Sequence, residues 1–341
     1  MRRILAGLGI GAGALLLVVV VLAVLGVGGR LTLAVEHTDA FTSTVELPAP
    51  DVQGARLVAG DAGLVLRGVM IRDPYVLEQD GELGPDLFAD IAATGANVVR
   101  IPVHPQWWRE DDEYLWRYLE PAVRWAGDAG LYAIVDWHSI GNVRTGTAPH
   151  DPELYSHTWD LTVDFWTTVA RFFAPAPHVL FEVFNEPQGI NAVDWHDAAD
   201  ELVATIRATG ATQPVVIGGV DDARDLSWVT DTPVDDGDVV YATHIYPGHA
   251  RSGWDRWFGD VSADHPVLVT EWGFTDLDSA QGDSYLVGSP QGYGTELADY
   301  TSARGIGWVA CWWDDDWRPA MLGPDGPTQW GRFALGLLSL G

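Results

Sequence analysis

The chain has 341 residues, 47% apolar and 11% aromatic, enough for one large domain or two small ones. Its net charge is −29 and all 19 basic residues are arginine, a surface that repels nucleic acid and anionic headgroups and suits a neutral substrate. The single cysteine, Cys311, excludes an intrachain disulfide, so stability has to come from the core.

Residues 4–29 carry no charge and follow Met1-Arg2-Arg3. As a helix, at about 1.5 Å per residue, they would reach roughly 39 Å, longer than the roughly 30 Å hydrocarbon core of a bilayer. Residues 1–30 are therefore read as an N-terminal hydrophobic helix that anchors the chain in the membrane. Arg2 and Arg3 stay cytoplasmic and the remainder sits on the extracellular face. Gly26-Val27-Gly28 leaves a cleaved signal peptide open, and the remainder is exported either way. Residues 31–54, rich in Thr, Pro and Asp, read as a tether or as an early strand across a barrel floor.

From residue 55 the chain alternates strand and helix patterns. Gly54–Ala59 and Gly63–Ile71 flank the turn signal Gly60-Asp61-Ala62-Gly63, a hairpin leading into a first strand. Helical spacing over 83–94 precedes a strand over 96–103, and a helix over 115–129 precedes a strand over 131–138. A helix over 161–174 leads to the run 179–186, and a helix over 194–208 leads to a strand over 214–219. Strands over 239–246, 266–271 and 307–313 complete eight. Strands alternating with helices imply a parallel sheet, and eight of them over 55–341 fit a closed (β/α)8 TIM barrel. A doubly wound open sheet is the fold alternative, but Gly68-Val-Met-Ile-Arg-Asp-Pro lacks its phosphate-binding glycine loop.

The polar strand ends carry the chemistry. Val179-Leu-Phe-Glu-Val-Phe184 is a buried strand with one charge, stopped by Asn185-Glu186-Pro187, and Pro266-Val-Leu-Val-Thr270 ends in Glu271. Asn-Glu-Pro alone is most often a solvated turn. Two strand-end glutamates at the C-terminal mouth of a barrel are what glycosidic cleavage needs, one protonating the leaving oxygen while the other attacks the anomeric carbon. That reading predicts carboxyl groups about 5 to 5.5 Å apart. Arg100 lies in an apolar strand and requires a carboxylate neighbour, for which Glu271 is the candidate. His138, His244, Tyr246, Trp312 and Trp313 end further strands.

These motifs, Asn97-Val-Val-Arg100-Ile-Pro, Asp136-Trp-His138, Phe184-Asn185-Glu186-Pro187, His244-Ile-Tyr246-Pro and Thr270-Glu271-Trp-Gly, resemble glycoside hydrolase family 5, the retaining cellulases and mannanases, over about residues 56–320. The resemblance implies Glu186 as acid/base, Glu271 as nucleophile, Asn185 on the sugar 2-hydroxyl, Arg100 and Tyr246 bonding the nucleophile, and His138 and His244 lining the site. It implies no cofactor and no metal. In that family an aromatic platform ends the eighth strand; here Cys311 falls at that position with Trp312 and Trp313 after it, and Trp107 and Trp108 are further candidates for sugar contact. The implied function is an exported retaining glycosidase acting on a β-linked polysaccharide or oligosaccharide. Two alternatives stay open: a carbohydrate-binding barrel without catalysis, and a metal-dependent hydrolase using His138 and His244. Beyond the three N-terminal arginines the exported part bears −32, and the absence of lysine predicts a halophilic, salt-requiring enzyme rather than one merely kept soluble by its acids.

Overall fold

A computed structural model describes residues 37–42, 45–276 and 283–340. The expected hydrophobic helix over 4–29 lies outside the described residues; among those described, no helix is long and apolar enough to cross a membrane. Eight parallel strands close on themselves: β1 (Arg67–Met70), β2 (Val98–Val103), β3 (Tyr132–Trp137), β4 (Val179–Glu182), β5 (Val215–Gly218), β6 (Val239–Ile245), β7 (Val267–Trp272) and β8 (Gly307–Ala310). Each pairs with the next in the chain, and β8 pairs with β1. All eight strand positions expected from the apolar runs are occupied, because a strand covered on both faces has to be apolar along its whole length.

Side-chain alternation then sorts the residues into two cores. Val99, Ile101, Ala133, Val135, Phe181, Ile217 and Val269 point outward into the layer shared with the helices. Val98, Tyr132, Ile134, Leu180, Val216, Val240, Leu268 and Val309 point inward and fill the barrel with branched bulk, as such barrels require. The close fit leaves no room for a side chain at position 68, where a Cβ would stand 1.7 Å from the Val98 carbonyl oxygen.

The floor of the barrel is covered by an antiparallel ribbon. Pro50–Gln53 pairs with Arg56–Ala59, which pairs with Ala62–Gly63, and Gly54 and Gly60 take left-handed conformations at the two turns. Leu57, with Leu47, Val52 and Leu64, packs against the inner core. The first strand expected over 63–71 is thus divided, its start belonging to this ribbon and its end, from Arg67, to the barrel. Phe41 is buried, with its ring centroid 5.3 Å from that of Phe173.

Helices Pro85–Ala93, Trp159–Phe173 and Ala192–Ala208 stand close to their expected positions, the last two capped by Thr158 and Asn191 through side-chain bonds to Leu161 N and Asp194 N. The helix expected over 115–129 opens with a wide π turn at Leu115–Leu119 before the α-helix Glu120–Asp128. Short turns, Ser227–Thr230 and Asp255–Gly259, replace long helices after β5 and β6.

Candidate active site

At the C-terminal ends of the strands the inward-facing positions turn polar. The centre is Arg100, fully buried on β2. Its Nε and Nη2 donate to the two oxygens of Glu182 on β4, at 2.6 and 3.1 Å. Nη2 also donates to Asn185 Oδ1 at 2.8 Å and lies 3.1 Å from Asp136 Oδ2, while Nη1 donates to Glu271 Oε1 at 2.7 Å. The carboxylate neighbour that Arg100 requires is therefore Glu271, joined by Glu182 and Asp136. Glu182 was visible as the one charge in an apolar strand, and the reasoning that singled out Arg100 applies to it equally.

Glu271 reaches this cluster because β7 bulges. Its pairing with β6 and β8 shifts after Val269, so Thr270 and Glu271 both turn towards the mouth and Trp272 returns to the outer core. Tyr246 OH donates to Glu271 Oε2 at 2.7 Å. His244 Nδ1 lies 2.9 Å from Glu186 Oε1 and 3.6 Å from Glu271 Oε2, with Nε2 3.1 Å from Thr270 Oγ1. One oxygen each of Glu186 and Glu271 and one ring nitrogen of His244 lie within 4.8 Å of one another, the only group of three metal-capable side chains among the described residues. His138 is not in that group, and its Nδ1 is held 2.5 Å from Asp136 Oδ2.

The two strand-end glutamates sit in opposite electrostatic settings. Burial pushes Glu186 up to about 7, only partly offset by the hydrogen bond and charge of His244. Burial would raise Glu271 as well, but the charges of His244, Arg100 and His138 and the Tyr246 hydrogen bond outweigh it and hold this carboxyl at about 2. His244 itself is lowered by burial but raised more by the charges of Glu271 and Glu186, and ends above its ordinary value. Asp136 rises to about 7 through burial, against the opposing charge of Arg100. One guanidinium among so many carboxylates leaves surplus negative charge, which protons must neutralise.

The aromatic residues divide by face. Trp312 turns inward, its ring 5.8 Å from His138 and 4.8 Å from Trp317, both edge-on. Trp313 turns outward into a cleft lined by Leu77, Glu82, Leu87 and Asp90. Its neighbour in sequence, Trp312, lies with Cys311 in the inner core, just beyond the end of β8. Trp107 stacks on Tyr75 at 5.4 Å and touches His104 at 4.7 Å, whereas Trp108 packs edge-on against Phe165 at 4.8 Å in the outer layer, away from the mouth. Tyr155, Trp317, His104 and Tyr285 line the mouth without any motif having marked them. Tyr155 and Tyr285 both feel the charges of Glu186 and Glu271 after the larger effect of burial.

The barrel is closed, and its C-terminal mouth holds two carboxyls close together, one pushed up to about 7 and the other held at about 2, a setting of the kind glycosidic cleavage uses. The chain belongs to the cellulase family, glycosyl hydrolase family 5, whose profile matches residues 77–316. Among solved structures it is similar to the β-glucanase SdGluc5_26A of Saccharophagus degradans, at 27% identity and a TM-score of 0.84, covering 89% of this chain and 97% of that one. The same β-glucanase in complex with cellotetraose superposes equally well, at 26% identity and a TM-score of 0.84. Endoglucanase A of Evansella cellulosilytica is 29% identical over 173 residues, 49% of this chain and 33% of that protein. Endoglucanase E-5 of Thermobifida fusca is 26% identical over 196 residues, 55% and 39% respectively. The matches to these two relatives thus span about a third to two fifths of their length.

Replacing Arg100 tests the cluster directly. Arg100→Met is expected to cost at least about 3 kcal/mol of unfolding free energy at pH 7, since it strands buried carboxylates. The loss should shrink towards pH 4. In the variant the stranded carboxyls have folded pKa values above their unfolded ones and are relieved by protonation. In the wild type the stability contributed by the depressed pKa of Glu271 fades as pH falls below 4.5 towards about 2. Urea melts at the two pH values measure both effects; equal losses at both would show that lost packing, not charge, sets the cost.

Proposed function

We propose that the chain is an exported, retaining endo-β-glucanase that cleaves β-1,4-linked glucan by double displacement on Glu186 and Glu271. The observation that carries this is the split of two carboxyls with oxygens within 4.8 Å, Glu186 at about 7 and Glu271 at about 2. That proximity suits direct attack better than the wider spacing that admits a water between acid and base. Protonated Glu186 gives its proton to the glycosidic oxygen as the C–O bond breaks, while ionised Glu271 forms a bond to the anomeric carbon. Glu186, now a base, then takes a proton from the water that releases the sugar. Arg100 and Tyr246 hold both Glu271 oxygens, which keeps the nucleophile charged and oriented. Asn185 gives its Oδ1 to Arg100, so its amide hydrogens are left for the sugar 2-hydroxyl. The relatives named endoglucanase and the cellotetraose bound to the similar β-glucanase support glucan over mannan as the substrate.

The pH profile of kcat/KM on a soluble β-glucan should have its alkaline limb near 7, where Glu186 loses its proton, and remain high well below 4.5, where Glu271 is still ionised. Glu271→Gln should abolish turnover, and azide should rescue Glu271→Gly with formation of the inverted glycosyl azide. A single-step inversion of the anomeric centre in the wild type, seen by proton NMR of the first product, would sink the retaining mechanism.

Export and anchoring rest on the uncharged run over residues 4–29 behind two arginines. Full-length protein is expected in the membrane fraction, released by detergent and not by high salt. Recovery of a mature chain from the medium, beginning near Gly29, would replace the anchor with a cleaved signal.

The salt requirement rests on the −32 carried beyond residue 30. The Debye length falls from roughly 8 Å at about 0.15 M salt to about 3 Å near 1 M, which removes most repulsion between neighbouring acids. The melting temperature should therefore rise between dilute buffer and molar potassium chloride. Equal melting temperatures and activity in both would leave the acids as a solubility device only.

A further inference from the structure

Three consecutive residues other than glycine, Asp221, Asp222 and Ala223, adopt left-handed backbone conformations, with φ of 56°, 61° and 57°. That region is unfavourable for L side chains and persists only where the surroundings enforce it. Here the loop after β5 is clamped from two sides. Asp222 N donates to Pro187 O at 3.2 Å and Gln188 Nε2 donates to Asp222 Oδ1 at 2.8 Å, which ties the loop to the turn carrying Glu186. His244 N donates to Ala223 O at 3.2 Å, which ties it to β6. The strained turn thus delivers a half-buried carboxylate against the Asn185-Glu186-Pro187-Gln188 turn.

We propose that Asp222 is a positioning residue for proton donation: its carboxylate, fixed beside the Glu186 turn, keeps the proton on Glu186 until the leaving sugar oxygen takes it. Asp222 forms and breaks no bond. The proton passes from Glu186 to the glycosidic oxygen, which receives the electron pair of the breaking C–O bond, while Glu271 supplies the pair for the new one. The groups facing Glu186 are His244 from β6, Glu271 from β7, Tyr155 and Tyr285 from the loops after β3 and β7, and Asp222. His244 favours loss of the proton, whereas Glu271 and Asp222 oppose it. Facing Asp222 are Arg224, His244, Asp221 and Gln188; burial raises it, against the charges of Arg224 and His244. The inference rests on the acid/base reading of Glu186.

Asp222→Asn keeps an oxygen for Gln188 and tolerates a left-handed backbone, so it removes the charge with little else. Two substrates separate the effects: cellotetraose, whose leaving group must be protonated, and a dinitrophenyl cellobioside, whose leaving group departs unaided. The variant should lose about half a pH unit from the alkaline limb on cellotetraose, about a threefold drop in kcat/KM above that limb, with a smaller change on the aryl glycoside and an unchanged Tm. Identical pH profiles in wild type and variant would overturn the inference while leaving the glucanase reading intact. Equal losses on both substrates with a lowered Tm would also overturn it, by making Asp222 structural. If the wild type turns over neither substrate, the glucanase reading fails and this inference falls with it.

Discussion

The mouth of this barrel is governed by one buried cation. Arg100 offers a rigid fork of donors, and the fold spends them on Glu182, Asn185, Asp136 and Glu271, drawn from the ends of three strands, β3, β4 and β7. An ion taken from water costs several kcal/mol unless it is paired and fully hydrogen-bonded, so these strand ends cannot drift independently. Charge balance then does chemical work. Arg100 cannot neutralise Asp136, Glu182, Glu271 and Glu186 together, and burial pushes Asp136 and Glu182 up although both lie against it. Glu271, under the charges of His244 and Arg100 and bonded to Tyr246, is held at about 2, whereas burial pushes Glu186, bonded to His244, up to about 7. The two glutamates thus titrate far apart, which is what the proposed division into acid and nucleophile requires.

Much of this was legible in the chain. The eight strands announced themselves as apolar runs because a parallel sheet is covered on both faces. Their polar residues were conspicuous for the same reason: His138, Glu186, His244 and Glu271 stand where apolar residues stop, and Arg100 interrupts an apolar run. Glu182 was equally conspicuous as the one charge of its strand, and only its pairing with Arg100 went unassigned, because Asn185-Glu186-Pro187 just beyond it carries the motif.

What the residues did not reveal depends on backbone departures from regular alternation. A strict period of two would place Thr270 and Glu271 on opposite faces of β7; the bulge puts both inside, and nothing in Val-Leu-Val-Thr-Glu-Trp marks it. At the end of β8 the same ambiguity decides between Trp312 and Trp313. The left-handed run Asp221-Asp222-Ala223 was invisible for a different reason. Aspartate is enriched in that conformation, but Asp221-Asp222 reads equally as an ordinary solvated turn, and Ala223 carries no such signal.

The end of β1 explains how the aromatic side of the mouth is built without entering the chemistry. Arg72 forms ion pairs with Asp80, Glu82 and Asp314, and so joins the loop after β1 to the loop after β8. Asp314 Oδ1 in turn accepts from Trp317 N at 2.9 Å, which sets Trp317 against Trp312. The next residue, Asp73, accepts from His104 N at 2.8 Å and from Tyr114 OH at 2.5 Å, with His104 Nδ1 at 3.0 Å. That holds the His104 ring against His138, Trp107 and Trp317. Two adjacent charged residues thus fix an aromatic wall through their partners, opposite the carboxylates fixed by Arg100. On the proposed reading, a sugar in the mouth would find aromatic rings for its C–H surface and the groups around Arg100 for its hydroxyls.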